Sequence, residues 1–393
     1  MNKFSQYQDH KLVFQYDVEI LTEIIDILKS SNYSNVQYMP PRFSLLAVAK
    51  EHENFLNFFT KKKHLLFYYS LFPKFYRLFL TEQLRICFDA CFLNKYISKI
   101  ELLKIFSEKL INKALLNNIL FRKEDMLKFT LSFIPFDDYI FLREPHQAYD
   151  AFSIDPEKTG HPEFDNRVWM GADSIIFARF LKKYFNNKFY SRAIEIGSGT
   201  GILTIVSSRF AKSFEAIDYN NRAIQYTKLN VEINKIKNIK THYSNMFKNV
   251  EGKFDLMLAA PWFIDLEKGG LEEVPDIMEG LQHYLSKDGL CVMTLNSYVK
   301  NDKDPNIDYL KNFIKSTDYD LELFTIGYKI ERERIKEWKK NNIEYVVGYF
   351  ALIKKNGKGT LKRHEVSFLR KLRDFTFIRL YWIFSRYFNF FDA

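Results

Sequence analysis

The first third of the chain has apolar residues spaced three and four apart, which is typical of amphipathic helices. Asp17 precedes the first such run and predicts a helix capped by its carboxylate. The helical pattern continues in three more segments: 64–80, broken near Pro73, 81–96, and a run that opens at Ser98. These periods predict a mostly helical amino-terminal region.

The period then changes from helical to alternating. Apolar and polar residues alternate from Leu127 to Phe133, which predicts a half-buried strand. A turn over Pro135 to Asp138 and a returning strand over Tyr139 to Leu142 complete a predicted hairpin. Helices followed by a hairpin predict a winged-helix-like accessory domain over residues 1–145, which can bind a partner, dimerise or cover a cleft. The composition of residues 146–166 predicts a linker or an ordered loop.

Beyond residue 167, strands alternate with helices up to about residue 355. This order is typical of an α/β fold with a parallel, doubly wound sheet. Seven strands are predicted, at 192–197, 214–218, 239–243, 254–259, 290–295, 321–328 and 344–353, with a charged helix at 331–340. The fold class expected for residues 167–355 is therefore a Rossmann-like sheet of seven strands.

The run Glu195-Ile196-Gly197-Ser198-Gly199-Thr200-Gly201 lies between a predicted strand and a predicted helix. Glycines allow a sharp turn and a close approach of a ligand, and a helix amino terminus favours negative charge. Asp218 ends the next strand 17 residues later, where a carboxylate can accept hydrogen bonds from ribose hydroxyls. Alternatively, the glycines form only a tight turn and Asp218 caps a helix.

At these residues the sequence resembles class I S-adenosylmethionine-dependent methyltransferases. The glycine spacing is G-x-G-x-G after a glutamate, and not the G-x-G-x-x-G of dinucleotide enzymes. The resemblance implies S-adenosylmethionine as cofactor, with the glycine loop against its methionine part, the second-strand acid on its ribose and the next residue on its adenine. The implied cofactor residues are Glu195, Gly197, Ser198, Gly199, Gly201, Asp218, Tyr219, Asn245 and Met246.

The segment after the fourth predicted strand, Ala259-Ala260-Pro261-Trp262-Phe263, resembles the Asn-Pro-Pro-aromatic motif of release-factor glutamine methyltransferases and amino-adenine methyltransferases. In that motif a polar first residue holds the acceptor amine and an aromatic ring stacks on the acceptor. Ala259 replaces the asparagine, which removes one hydrogen bond to an acceptor, whereas Pro261 and Trp262 keep the second half. The resemblance implies a catalytic set of Ala259, Pro261 and Trp262, with Trp262 and Phe263 facing the acceptor. Alternatively, Trp262 is packed in the core.

A second resemblance to the glutamine-methyltransferase-like branch precedes the domain. Val168-Trp169-Met170-Gly171-Ala172-Asp173-Ser174 resembles the Val-x-x-Gly-x-Asp-Ser element that enters the helix before the first strand. The resemblance implies that Asp173 and Ser174 border the acceptor or the cofactor. Alternatively, one of these two residues is an ordinary helix N-cap.

Composition narrows the classes of partner. The net charge is +10, but residues 354–386 contain ten Lys or Arg and two acids, so the rest of the chain is almost neutral. A nucleic-acid enzyme usually spreads basic residues around its cleft, so nucleic acid is disfavoured as the acceptor. Three cysteines predict neither a disulfide framework nor a metal site, and the polar first ten residues predict a cytoplasmic protein. The many Phe and Tyr residues fit an AT-rich genome, and a selected aromatic surface is the other interpretation.

The segment 356–393 is predicted to be a basic, aromatic carboxyl-terminal helix. Within it, Phe375 to Phe391 has 12 apolar or aromatic residues in 17, too short and too charged to span a bilayer. Such a helix packs on the accessory domain or a second subunit, or lies on an anionic membrane surface.

The function expected from these residues is transfer of a methyl group to a nitrogen of a protein, peptide or small molecule. Because methyl transfer is an in-line displacement, holding donor and acceptor together supplies much of the rate. Two alternatives remain open: a small-molecule O-methyltransferase, and a non-catalytic scaffold with the methyltransferase fold.

Overall fold

A computed structural model of the chain describes most of the residues that these expectations concern. The described residues are 16–36, 80–144, 168, 170, 172–261, 273–301, 303–329, 335–366 and 372. The predicted helix at 64–79, the linker and the helix at 375–391 lie outside them.

The helices are α1 (Val18–Ser30), α2 (Glu82–Cys87), α3 (Lys99–Leu102), α4 (Glu108–Leu116), α5 (Ala172–Tyr184), α6 (Ile202–Ser207), α7 (Asn221–Ile233), α8 (Val274–Tyr284), α9 (Pro305–Lys315) and α10 (Ile335–Lys340). The strands are β1 (Ile97–Ser98), β2 (Leu120–Lys123), β3 (Met126–Phe129), β4 (Ser132–Phe136), β5 (Tyr139–Arg143), β6 (Tyr190–Ile196), β7 (Ala211–Asp218), β8 (Ile239–Tyr243), β9 (Phe254–Ala259), β10 (Leu285–Val299), β11 (Tyr319–Lys329), β12 (Tyr345–Lys355) and β13 (Leu361–His364).

The described residues form two compact units. The first, called here the amino-terminal unit, falls within Met1–Phe180, Ser198–Val206 and Asn220–Thr241. The second, called the sheet unit, falls within Leu181–Gly197, Ser207–Tyr219 and His242–Ala393. Because α7 and most of α6 belong to the amino-terminal unit, this division does not follow the predicted boundaries at 145 and 167, which stay a prediction.

The largest sheet has the strand order β13-β11-β12-β10-β9-β6-β7-β8. All seven predicted strands are present, with ends shifted by a few residues. The pairs β10–β9, β9–β6 and β6–β7 are parallel, as expected. An eighth strand, β13, extends the edge beside β11, so the predicted count of seven was wrong. Because β13 reads as Leu-Lys-Arg-His and is mostly exposed, it has no apolar period that would announce a strand.

The sequence pattern predicts a parallel sheet, but the sheet is only partly parallel. β12 runs antiparallel to both β10 and β11. Eight of its eleven residues in succession are buried, so its apolar run indicates a central strand but carries no information on direction. On one face of the sheet a continuous apolar cluster includes Ile194, Met257, Leu281 and Leu310.

The amino-terminal unit begins with α1, which forms as predicted. Asp17 accepts hydrogen bonds from the amides of Glu19 and Ile20, at 2.9 and 3.2 Å. The apolar stripe of α1, which includes Leu21 and Ile25, is buried. The helical period and the cap together therefore predicted both the start and the inner face of this helix correctly.

The predicted strand over Leu127 to Phe133 is two strands, β3 and β4, separated at Thr130 and Leu131. β3 pairs with both β1 and β2 in a three-stranded antiparallel sheet, whereas β4 pairs with β5. The predicted hairpin is confirmed, but its turn is Asp137 and Asp138, and Pro135 lies within β4 opposite Ile140. The helix predicted from residue 356 is contradicted at its start, because β13 lies there.

Candidate functional site

The chain bends sharply at the end of β6, which lies between β9 and β7 in the large sheet. The Gly197 amide donates to the carbonyl of Ile217 on the neighbouring strand at 2.9 Å. Gly197 is exposed and has φ +74°, a backbone conformation that residues with a side chain rarely adopt. A Cβ added here would meet no atom within 4 Å, so open space faces this backbone. Glu195, two residues earlier, is buried in β6 at 1% exposure.

Gly201, unlike Gly197, has no room for a side chain, because it packs closely against α7. It has φ +79°, and a Cβ would lie 2.9 Å from Cγ2 of Thr227 on α7. The same threonine donates from Oγ1 to the Gly199 carbonyl at 3.1 Å and lies 3.1 Å from the Ser198 hydroxyl. Gly199 also has positive φ, at +55°. Within the amino-terminal unit the loop Ser198–Gly201 is thus held against α7 by a buried threonine.

Asp218 ends β7, the strand beside β6, as predicted. Its side chain is buried at 7% exposure, and its carbonyl accepts from the Ser244 amide at 3.0 Å. The alternative that Asp218 caps the next helix is wrong, because Asn220 caps α7 and its side chain accepts from the Arg222 amide at 2.9 Å. Tyr219 is half-buried between these two.

The segment after β8 forms a compact turn around Ser244. The Ser244 hydroxyl donates to the Met246 carbonyl at 2.6 Å and accepts from the Asn249 amide at 3.1 Å. Met246 has φ +50°, and Asn245 is half-buried. The next residue, Phe247, stacks on Tyr284 of α8 at 4.8 Å between ring centroids. Packing of Phe247 therefore anchors Asn245 and Met246, two of the predicted cofactor residues.

The residues predicted to face the acceptor are placed only in part. Ala259 ends β9 between Ile196 and Met293 of the neighbouring strands and is buried at 1% exposure. Pro261 is half-buried just beyond it, whereas Trp262 and Phe263 lie outside the described residues.

Asp173 and Ser174 lie in the first turn of α5, with Asp173 exposed and Ser174 half-buried. Because α5 begins at Ala172, neither residue is the N-cap, and that alternative was wrong.

Sequence reasoning missed the polar side chains of α7. Thr227 and Asn230 are 0% exposed, which is unusual for their residue types. Asn230 donates to the Thr200 carbonyl at 2.9 Å, so it too holds the glycine loop. Their spacing of three places them on one helix face, but their surroundings in sequence (Tyr226-Thr227-Lys228-Leu229-Asn230) do not separate them from an ordinary surface helix.

Other groups have structural positions. His283 is exposed on α8, and all three cysteines are buried and free. Among the described residues, no group of three or more His, Cys, Asp or Glu is arranged to hold a metal ion. Nor does any helix within those residues have the length and apolarity needed to cross a membrane.

Comparison with known proteins finds methyltransferases that are similar to this chain. The family described as the methyltransferase small domain matches residues 173–318. A protein of Methanocaldococcus jannaschii that carries the name protein N5-glutamine methyltransferase is 31% identical over 162 residues, which cover 37% of this chain and 77% of the relative. The ribosomal protein L11 methyltransferase of Thermosipho melanesiensis is 29% identical over 165 residues, covering 39% of this chain and 59% of the relative.

One solved structure that resembles this chain is M. jannaschii TYW2 in complex with AdoMet. It has a TM-score of 0.40 at 15% identity, and the match covers 60% of this chain and 92% of that one. The relation to the M. jannaschii protein named above, over most of its length, does show the family. This chain belongs to the class I S-adenosylmethionine-dependent methyltransferases, and it is an enzyme whose methyl donor is S-adenosylmethionine.

Proposed function

We propose that this methyltransferase acts on a nitrogen of a protein, peptide or small molecule, and that a protein side chain is the first acceptor to test. The similarity to a relative named for glutamine N5 carries the proposal, since it extends over 77% of that relative. A second relative is named for ribosomal protein L11. Membership of the branch of release-factor glutamine methyltransferases is part of the proposal, although Ala259 replaces the asparagine of its motif and removes one hydrogen bond to the acceptor.

The cofactor is proposed to lie at the carboxyl ends of β6 and β7. Two observations in the sheet unit support this position: the open space that faces Gly197, and Asp218 at the end of the adjacent strand. Bound S-adenosylmethionine supplies a methyl group on a sulfonium. Gly197 leaves room for its methionine part, and Asp218 accepts hydrogen bonds from the ribose hydroxyls. Glu195, Tyr219, Asn245 and Met246 complete the proposed contacts, together with Ser198, Gly199 and Gly201.

The acceptor is proposed to lie beyond β9, at Pro261, Trp262 and Phe263, with Asp173 and Ser174 beside it. An aromatic ring at this point gives a planar acceptor group a stacking surface. An amine that loses its proton late needs no dedicated base, so orientation by these residues is the main contribution expected of them. Ala259, whose methyl group is buried, offers the acceptor no side-chain oxygen.

The predicted accessory domain, residues 1–145, is called here the accessory region and is proposed to be a winged-helix-like module. The order α2, β1, α3, α4, β2, β3 and the pairing of β1 and β2 on either side of β3 support this proposal. We propose that side chains of this module determine which acceptor the enzyme methylates.

Two glycine substitutions test the cofactor position. Gly197→Ala and Gly359→Ala impose the same kind of backbone strain, since their φ values are +74° and +72°, and each costs about 1–2 kcal/mol of stability. Only Gly197 faces the proposed cofactor, so calorimetry with S-adenosylmethionine should show weaker binding for Gly197→Ala alone. Asp218→Ala should raise Kd by about tenfold or more, because it removes hydrogen bonds to a charged group. Equal affinities for both glycine variants would place the cofactor elsewhere.

The acceptor class is tested with S-adenosylmethionine labelled in the methyl group. The purified enzyme is incubated with a cell extract, and the label is then followed through protease, nuclease and small-molecule extraction. The proposal expects protease-sensitive label on a nitrogen, located by mass spectrometry. One relative is named ribosomal RNA small subunit methyltransferase C, so label released by nuclease is the outcome that would overturn a protein acceptor.

A further inference from the structure

Two asparagines, Asn230 on α7 and Asn234 at the C-cap of α7, bond to the outer edge of β5 in the way that a neighbouring strand would. Asn234 donates to the carbonyl of Ile140 at 2.9 Å and accepts from its amide at 3.2 Å. Asn230, one turn earlier, donates to the carbonyl of Leu142 at 2.9 Å and accepts from its amide at 2.7 Å. Alternate residues of β5 therefore have their backbone groups satisfied by side-chain amides, within the amino-terminal unit.

Asn230 makes a further bond that Asn234 does not. The second N–H of its amide donates to the carbonyl of Thr200 in the glycine loop at 2.9 Å. The spare donor of Asn234 bonds only to the backbone carbonyl of Asn230, at 2.9 Å. Asn230 is 0% exposed, and its two N–H groups join a carbonyl of the hairpin to a carbonyl of the loop.

This bridge constrains where the loop can lie. If the Thr200 carbonyl moved away, a buried donor of Asn230 would lose its partner, and an unsatisfied buried donor is costly. Thr227 holds the preceding two residues of the loop from the same helix face. A mainly buried ion pair between Glu144, directly after β5, and Arg222 adds a second attachment of the hairpin to α7.

We infer that Asn230 is a positioning residue through which the β4–β5 hairpin of the accessory region sets the conformation of the glycine loop, and with it the affinity for S-adenosylmethionine. The inference depends on the proposed function, in which this loop contacts the cofactor. Coupling of this kind is reciprocal, so the cofactor must also stabilise the contact between hairpin and helix.

Asn230→Ala and Asn234→Ala form a matched pair for the test. Each removes two hydrogen bonds to β5, so both should lower the unfolding midpoint in urea. Only Asn230→Ala frees the Thr200 carbonyl. Calorimetry should then show Kd for S-adenosylmethionine raised by about five- to tenfold in Asn230→Ala, as expected from one lost hydrogen bond, and changed less than about twofold in Asn234→Ala. Equal changes in the two variants would overturn the inference.

Hydrogen exchange gives a readout that needs no cofactor. In the free protein, the amides of Gly201 and Ile205 should exchange faster in Asn230→Ala than in Asn234→Ala. The hydrogen bonds that these two amides donate stabilise the glycine loop and the start of α6, so their exchange reports on the loop. If Gly197→Ala and Asp218→Ala left cofactor binding unchanged, the proposed cofactor position would fail, yet this exchange would still report whether Asn230 holds the loop.

The wild-type protein provides a test should Asn230→Ala not fold. Saturating S-adenosylmethionine should slow exchange of the Leu142 amide, which donates to Asn230, by about the factor that reciprocity requires. An unchanged rate at Leu142, with binding verified in the same sample, would overturn the inference.

Discussion

A single methyl group added at Gly280 on α8 should clash with a buried aromatic ring. A Cβ at this position would lie 1.9 Å from Cε2 and 2.4 Å from Cζ of Phe247. Carbon atoms in contact are separated by about 3.5 Å, so the ring must move by roughly 1.5 Å. Phe247 is buried and stacked on Tyr284 with planes 6° apart, so the ring has a partner to lose when it moves.

Two opposing effects decide the sign of the change. Replacing glycine by alanine inside a helix gains about 1 kcal/mol of helix propensity. Overpacking of a core costs about 1–3 kcal/mol, and loss of an aromatic stack costs about 0.5–1.5 kcal/mol more. We therefore expect Gly280→Ala to destabilise the protein by about 1–3 kcal/mol. Since Phe247 anchors the turn that contains Met246, the affinity for S-adenosylmethionine should fall as well.

Urea unfolding followed by tyrosine and tryptophan fluorescence measures this change. Gly348→Ala is the control, because its Cβ would meet Asn296 and Ile326 at an ordinary 3.5 Å, and its free energy of unfolding should change by less than about 0.5 kcal/mol. Adding Phe247→Leu to Gly280→Ala should recover part of the loss by making room. A Gly280→Ala protein as stable as the wild type, or more so, would refute the packing argument.

Three other substitutions or treatments test the core and its buried polar groups. Tyr33→Phe should cost about 1–2 kcal/mol in urea unfolding, because the fully buried hydroxyl donates to the carbonyl of Phe133 at 2.7 Å; an unchanged midpoint would contradict this. Glu144→Gln should cost about 1–3 kcal/mol by leaving Arg222 without its charge partner, and a double-mutant cycle without coupling would argue against the pair. Burial raises the pKa of the Cys87 thiol to about 12, so it stays protonated at pH 8 and should resist iodoacetamide until the protein is unfolded; rapid labelling of the folded protein would contradict its burial.

The features that the sequence predicted well are those with local signals. The glycines of the loop, Asp17 and the turn at Asp137 each act within a few residues of themselves, so their neighbours in sequence indicate their conformation. Alternating or continuous apolar residues indicated the seven strands for the same reason. The alternative interpretation of Asp218 as the cap of α7 was wrong, but the actual cap, Asn220, is only two residues further along the chain.

The features that the sequence did not predict depend on partners far along the chain. The antiparallel direction of β12 is decided by pairing with β10, about fifty residues earlier, and not by its own residues. β13 is a strand only because β11 offers it an edge. Asn230 is 88 residues from Leu142, and its role follows from that contact alone.

By its own spacing of glycines, acid and apolar runs, the sequence determined the strands of the large sheet and the bend after β6, and the resemblance of these residues to class I methyltransferases implied the cofactor. These are properties of short segments, and sterics and burial act on them directly. Only the tertiary structure decided which polar groups hold that bend. A buried hydrogen bond has meaning only when both partners have been brought out of water to the same place, and no local pattern records the identity of a distant partner.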